Sequence, residues 1–162
     1  MSDYSEKFEK MRIAGKLAAQ TLDMLTDNIK EGVSTNHIDK LGYEFIRDNG
    51  GYSAPLYYRG FKKSLCTSLN HVVCHGIPSE DRILEEGDAL NVDVTAIVDG
   101  HYGDTSRMFC IGTTSVKLNN LINATYESMM RAIKILKPGI KLGDIGNEIQ
   151  SYVEEKGFSV VR

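Results

Sequence analysis

The chain has 162 residues, a quarter of them charged, and a formal charge of −3 at pH 7. That length suits one domain with a real core, or part of a larger one. The mild acidity gives no electrostatic reason to expect nucleic acid or an anionic membrane as partner, and no apolar run approaches the roughly 20 residues of a bilayer span. The first residues, Met1-Ser2-Asp3-Tyr4-Ser5-Glu6, are polar and acidic, unlike a signal peptide, so a cytoplasmic protein is expected. Three cysteines, Cys66, Cys74 and Cys110, cannot all pair within the chain and are expected as thiols. Cys66, His71, Cys74 and His75 cluster in sequence, but their spacing matches none of the usual structural zinc patterns.

In chain order, Tyr4, Phe8, Met11, Leu17, Leu22 and Leu25 recur at near-helical spacing with Lys and Glu between them, which predicts an amphipathic helix from about Asp3 to Thr26. Ser34 or Thr35 can cap a second helix, with Ile38, Leu41, Phe45 and Ile46 as its apolar stripe and Asn49-Gly50-Gly51 as its stop. Strands and turns follow. Tyr52 to Phe61 is aromatic and irregular, Ser64 to Cys74 predicts strand segments broken near Asn70, and Gly76-Ile77-Pro78 makes a turn.

Leu90 to Phe109 predicts a β-hairpin, because two runs rich in β-branched and aromatic residues flank Asp99-Gly100, a dipeptide that tolerates the positive φ angles of a type I′ turn. With a two-residue loop, Val98 pairs with His101 and Thr95 with Asp104. Side chains alternate faces with period two, so Asp93 then shares a face with Asp104, one diagonal step away. Like charges in that position repel unless a cation lies between them, which points to a metal; two acids on an ordinary solvent-facing sheet are the alternative.

Helical period returns over Val116–Leu136 and ends at Lys137-Pro138-Gly139; a last helix covers about Leu142 to Lys156, and Phe158 to Val161 predicts a strand. Shifted by 107 residues, Gly32-Val33, Ile38, Ile46 and Gly50 fall on Gly139-Ile140, Ile145, Val153 and Gly157. The first copy continues into some sixty residues of strands and the second stops. A repeat that shares a core needs both copies, so a fragment is expected.

Asn91-Val92-Asp93-Val94-Thr95, then Gly103-Asp104-Thr105-Ser106-Arg107-Met108-Phe109, with Val73-Cys74-His75-Gly76-Ile77-Pro78 upstream, resembles the type I methionine aminopeptidases of the pita-bread fold. The resemblance runs over essentially the whole chain. It implies a duplicated α/β (α+β) fold, seen here as one incomplete catalytic domain over residues 1–162, with a first repeat to about 112 and the start of a second over about 113–162. It also implies removal of the initiator methionine from nascent polypeptides, met as substrates at the ribosome, with no nucleic acid or membrane as partner.

In such enzymes two divalent metal ions share five protein ligands. Asp93 and Asp104 match the first two, and the remaining His and two Glu have no counterpart in this chain. Carboxylates suit Mn²⁺, Fe²⁺, Co²⁺ or Zn²⁺ in mixed oxygen and nitrogen sites. His75 matches a histidine that contacts substrate near the scissile bond, and its alternative is a structural histidine beside the Gly76 turn. Tyr58, Phe61 and Cys66 match the methionine side-chain pocket, with Phe61 where Tyr is familiar, and the alternative for both aromatics is ordinary core. A half-built site predicts that the chain alone is inactive. A non-catalytic binding module for protein or RNA is the competing function, disfavoured because such a module has no need of Asp93, Asp104 and His75 together.

Overall fold

The computed structural model describes Tyr4–Val161, and the helix start expected at Asp3 lies outside the described residues. Helices α1 (Tyr4–Thr26) and α2 (Thr35–Asp48) are followed by strand β1 (Tyr52–Ser53), a 3-10 turn (Tyr58–Gly60) and strands β2 (Cys66–Leu69), β3 (Ala89–Val98) and β4 (His101–Cys110). Helices α3 (Val116–Lys134) and α4 (Leu142–Glu155) complete the described elements. The chain divides into two compact units, one up to Thr114 and one from Ser115.

In the first unit the sheet is antiparallel and centred on β3. Strand β4 pairs with β3 along its whole length, from Ala89↔Cys110 to Val98↔His101. The other edge of β3 is shared: β1 pairs with Ile97 and Ala96, and β2 with Asp93 to Leu90. Asp99 (φ +47°) and Gly100 (φ +75°) make the expected two-residue turn. Leu90, Val92, Val94 and Ala96 are fully buried beneath the helices, joining Leu17, Ala18, Leu22 and Leu25 of α1 and Ile38 and Ile46 of α2 in one core. The odd-numbered residues of β3, Asp93 among them, take the opposite face.

Gly103 sets how closely α1 approaches the sheet. A Cβ there would lie 2.2 Å from the backbone of Ala14 and Gly15, so only glycine lets the helix cross β4 at this point. The apolar stripe of α1 is buried only from Ala14 onward, whereas Tyr4, Phe8 and Met11 are exposed. Periodicity marks the apolar stripe of a helix but not which of its residues find cover.

Ser34 caps α2, its Oγ accepting the His37 N–H at 3.1 Å. The strand segments expected over Ser64–Cys74 do break at Asn70, which adopts φ +52°; only Cys66–Leu69 forms a strand, because Val72 N–H then turns back to Leu69 O at 3.0 Å. No strand forms over Phe158–Val161; a strand needs a neighbour to take its backbone hydrogen bonds, and Phe158 N–H instead closes α4 on Val153 O.

The second unit is a helix pair in its own right, with Ala124, Ser128 and Ala132 of α3 and Val153 of α4 buried. The Arg131 guanidinium stands 4.1 Å from the centre of the Tyr152 ring. Both bounds of α4 lie 107 residues after those of α2. The flanking glycines repeat their backbone as well: φ is +83° at Gly32 and +93° at Gly139, +77° at Gly50 and +80° at Gly157. The repeat is therefore one of conformation as well as of sequence.

Candidate metal centre

Asp93 and Asp104 come from the two arms of the hairpin. Thr95 lies opposite Asp104 and Asp93 opposite Ser106, so both acids occupy the face turned away from the helices. Their carboxyl groups act on each other as neighbouring like charges. Partial burial first, then the charge and hydrogen bond of Asp104, raise the pKa of Asp93 above the ordinary aspartate value, against the opposing pull of His75 and the Val94 N–H. The pair thus disfavours its own double ionisation, and two converging oxygen donors with that deficit fit a divalent cation.

Cys66 is paired with Asp93 across the ladder on the β2 side. Its thiol is buried, and burial, followed by the charges of Asp93, Cys74 and Asp104, pushes its pKa up to about 11. It is therefore a neutral thiol near pH 7, suited to lining an apolar wall and poorly suited to nucleophilic work.

His75 is exposed, with its backbone left-handed at φ +54°. The next residue explains its place. Gly76 O accepts the Thr67 N–H at 2.8 Å, and Gly76 N–H donates to Ser68 Oγ at 3.1 Å. A Cβ on Gly76 would meet Thr67 O at 2.2 Å, so the missing side chain lets this segment lie directly on β2 and brings His75 within electrostatic reach of Asp93.

Tyr58 and Phe61 sit in a loop that leaves the edge of β3 at Ser53, opposite Ala96, and rejoins it at Cys66, opposite Asp93. It is a tight excursion. Tyr57 N–H donates to Phe61 O at 2.7 Å, Phe61 N–H to Tyr58 O at 3.0 Å, and Tyr57 (φ +69°) and Arg59 (φ +47°) are both left-handed. Tyr58 is 64% exposed, so it is no core residue, and Phe61 is half-buried. The structure brings Asp93, Asp104, Cys66 and His75 together, and it attaches Tyr58 and Phe61 to the same stretch of β3 edge without recording a polar contact to either acid. Among the described residues no group of three or more His, Cys, Asp or Glu side chains is arranged to hold a metal, the Cys66–His75 cluster included.

The sequence pattern of metallopeptidase family M24 matches residues 9–162. The chain belongs to this family. It is 55% identical over 160 residues to the methionine aminopeptidase of Rickettsia prowazekii, an alignment covering 98% of this chain and 61% of that protein. The crystal structure of a Rickettsia prowazekii methionine aminopeptidase superposes with a TM-score of 0.94 over 97% of this chain and 63% of the other. The methionine aminopeptidase of Thermotoga maritima superposes at 0.96 with 35% identity, covering all of this chain and 65% of the other. The X-Pro aminopeptidase of Thermotoga maritima, 22% identical and with a TM-score of 0.80, shares the fold. The M24 chain thus has the pita-bread fold and spans about three-fifths of the length of the methionine aminopeptidases it matches. Membership of a metallopeptidase family brings a divalent-metal requirement with it.

One buried carboxyl group of this M24 chain was not singled out by its sequence. Asp39 of α2 is 7% exposed and accepts the N–H groups of Ser64 at 2.7 Å and Leu65 at 2.9 Å. Burial raises its pKa, while those two N–H groups and Lys63 oppose the rise. The available signal was its position, since Asp39 falls within the buried stripe Thr35, Ile38, Asp39, Gly42, Ile46. A charged residue at a core position of an amphipathic helix calls for a partner.

Proposed function

We propose that this chain supplies the Asp93–Asp104 share of a two-metal site in an aminopeptidase that removes methionine from the N-termini of newly made polypeptides in the cytoplasm, at the ribosome. The convergence of the two carboxyl groups on one sheet face, with the Asp93 pKa raised by burial and then by its neighbour, carries the reading. Asp93 and Asp104 would hold two ions drawn from Mn²⁺, Fe²⁺, Co²⁺ or Zn²⁺. Such ions, when bound, acidify water and polarise a peptide carbonyl.

The remaining work belongs to this chain's side chains. His75, next to the acids and open to solvent, hydrogen-bonds the reacting amide and passes a proton to the departing amine. Tyr58, Phe61 and the neutral thiol of Cys66 receive the methionine side chain, and a thioether suits an apolar, polarisable wall. Phe61 in place of a tyrosine keeps the wall and removes a hydroxyl, so methionine selectivity is little altered.

Two acids are a weak holder for a divalent ion when the other ligands are lacking. The isolated 162 residues are accordingly expected to release little or no methionine. The test is release of methionine from a Met-Ala-Ser peptide with Mn²⁺ or Co²⁺, by the protein expressed from its own gene through the natural stop codon and, in parallel, by the 162-residue chain. Activity in the former, reduced at least about 100-fold by Asp104→Asn and by His75→Ala, is the expected result. Full activity in the Asp104→Asn variant would overturn the reading, and robust activity of the 162-residue chain would overturn the need for further ligands.

A further inference from the structure

The N-terminal end of α2, from its cap Ser34 to Asp39, holds both segments that carry the candidate substrate-contacting residues. On one side, Asp39 takes the backbone N–H groups of Ser64 and Leu65, and Lys63 Nζ donates to Asn36 Oδ1. On the other, Asn36 Nδ2 donates to Glu80 Oε1 at 2.7 Å and Ser34 Oγ to Glu80 Oε2 at 3.0 Å. Thr35 Oγ1 donates to Ser79 O at 3.1 Å and accepts Ser79 N–H at 3.0 Å, and Thr35 N–H donates to Arg82 O at 2.8 Å. Residues 63–65 and 79–82 are thereby referred to one helix end.

We infer that Asp39 is a positioning residue for the side-chain pocket: its carboxyl group fixes where the 54–65 loop rejoins the sheet, and so where Phe61 and Cys66 stand relative to Asp93. This rests on the proposal that the loop forms the methionine pocket. The chain path is short. Asp39 grips Ser64 and Leu65, Cys66 is the next residue, and Cys66 is the ladder partner of Asp93. Leu65 is pinned from the same helix a second time, because its side chain fills the space above Gly42, where a Cβ would lie 2.5 Å from Leu65 Cδ1. The loop's own turns, Leu56 N–H to Ser53 O, Tyr58 N–H to Pro55 O and Tyr57 N–H to Phe61 O, fix its internal shape but not where its far end meets the sheet. Its tip carries two left-handed non-glycine residues and an exposed Tyr58, a conformation that persists only if its ends are fixed.

The acids are held differently, since β3 and β4 pair over ten residues each without any contribution from Asp39. Loss of the Asp39 grip should therefore move the pocket wall and leave the acid pair in place. A merely structural role would act otherwise, lowering the folded fraction and with it kcat while KM stayed put.

The experiment is steady-state kinetics on the natural gene product, loaded with Mn²⁺, comparing wild type, Asp39→Asn, Asp39→Ala and Asn36→Ala. Asp39→Ala is expected to raise KM for a methionyl peptide about tenfold with kcat within about threefold, and to narrow the preference for methionyl over leucyl peptide by a similar factor. Asp39→Asn retains an oxygen acceptor for the two N–H groups and should restore most of the loss. Asn36→Ala, which frees Lys63, should shift KM in the same direction by less, and Mn²⁺ affinity followed by its paramagnetic resonance should be unchanged throughout. A fall in kcat at constant KM, or no rescue by Asn, overturns the inference. If Asp39→Ala does not accumulate folded, Asp39→Asn and Asn36→Ala carry the decision: both indistinguishable from wild type in KM and preference also overturns it. An inactive wild type overturns the proposed function itself, which separates that failure from this one.

Discussion

Helices α2 and α4 are each fourteen residues long, flanked by glycines with matching positive φ, and each follows a longer amphipathic helix, yet the two helix pairs bury very different side chains. In the first pair Leu22, Leu25, Ile38 and Ile46 are at most 1% exposed. In the second the buried side chains of α3 are small, Ala124, Ser128 and Ala132, while Ile133 and Leu136 are about half exposed. Two crossing helices cover small residues at their line of contact, whereas large ones need a broader surface such as the β3–β4 face. Even the shared start of the later helices differs in chemistry. Ser34 caps α2 with its own hydroxyl, and at the matching position Lys141 gives its N–H to the Asp144 carboxylate at 2.9 Å.

That contrast can be broken or sharpened by substitution. The largest effect is expected from truncating a core leucine: Leu25→Ala should cost about 2–5 kcal/mol in urea unfolding, and Ile133→Ala, half exposed, less than about 0.5 kcal/mol. Equal losses at the two sites would erase the distinction. Next come the glycines. Gly103→Ala puts a Cβ against the backbone of α1, which no rotamer can relieve, and should cost about 1–3 kcal/mol. Gly146→Ala in α4, with open space around it, should instead stabilise by up to about 1 kcal/mol, read as a higher thermal midpoint.

Smaller still is the cap. Ser34→Ala should cost about 1 kcal/mol and loosen Glu80 as well, seen as faster hydrogen exchange at His37.

The smallest effect is in pH. Burial raises the pKa of Asp39, so the folded state holds that proton more tightly than the unfolded chain does. Its contribution is fully present below the ordinary aspartate pKa and is lost as pH rises through the raised one. Asp39→Asn cannot titrate. The stability difference between wild type and this variant should therefore shift in favour of the variant over that window, and a difference constant across it would show that Asp39 titrates normally.

Much of this could be read from residue order because it depends on neighbours in the chain. Asp99-Gly100 dictates a two-residue turn, the turn sets the register, and period-two alternation then brings Asp93 and Asp104 to one face with no knowledge of what lies behind it. The start of α2 and the 107-residue repeat were legible for the same local reason. What stayed hidden were matters of cover and close approach. The exposure of Tyr4, Phe8 and Met11 depends on what packs against the start of α1, and Phe158–Val161 forms no strand. The place of Asp39 on the inner stripe of α2 calls for a partner, but only the folded chain decides that the partners are Ser64 and Leu65.

The residues by themselves determined the hairpin, its converging acids and the duplicated helix pair, since each follows from backbone preference and spacing within a few residues. Tertiary structure alone decided that Gly76 lays His75 against β2, that Cys66 is a buried neutral thiol beside Asp93, and that one end of α2 holds both loops around them. Those facts arise where segments distant in sequence exclude water from one another, and burial, which sets both the pKa of Cys66 and the need of Asp39 for partners, exists only once the packing is made.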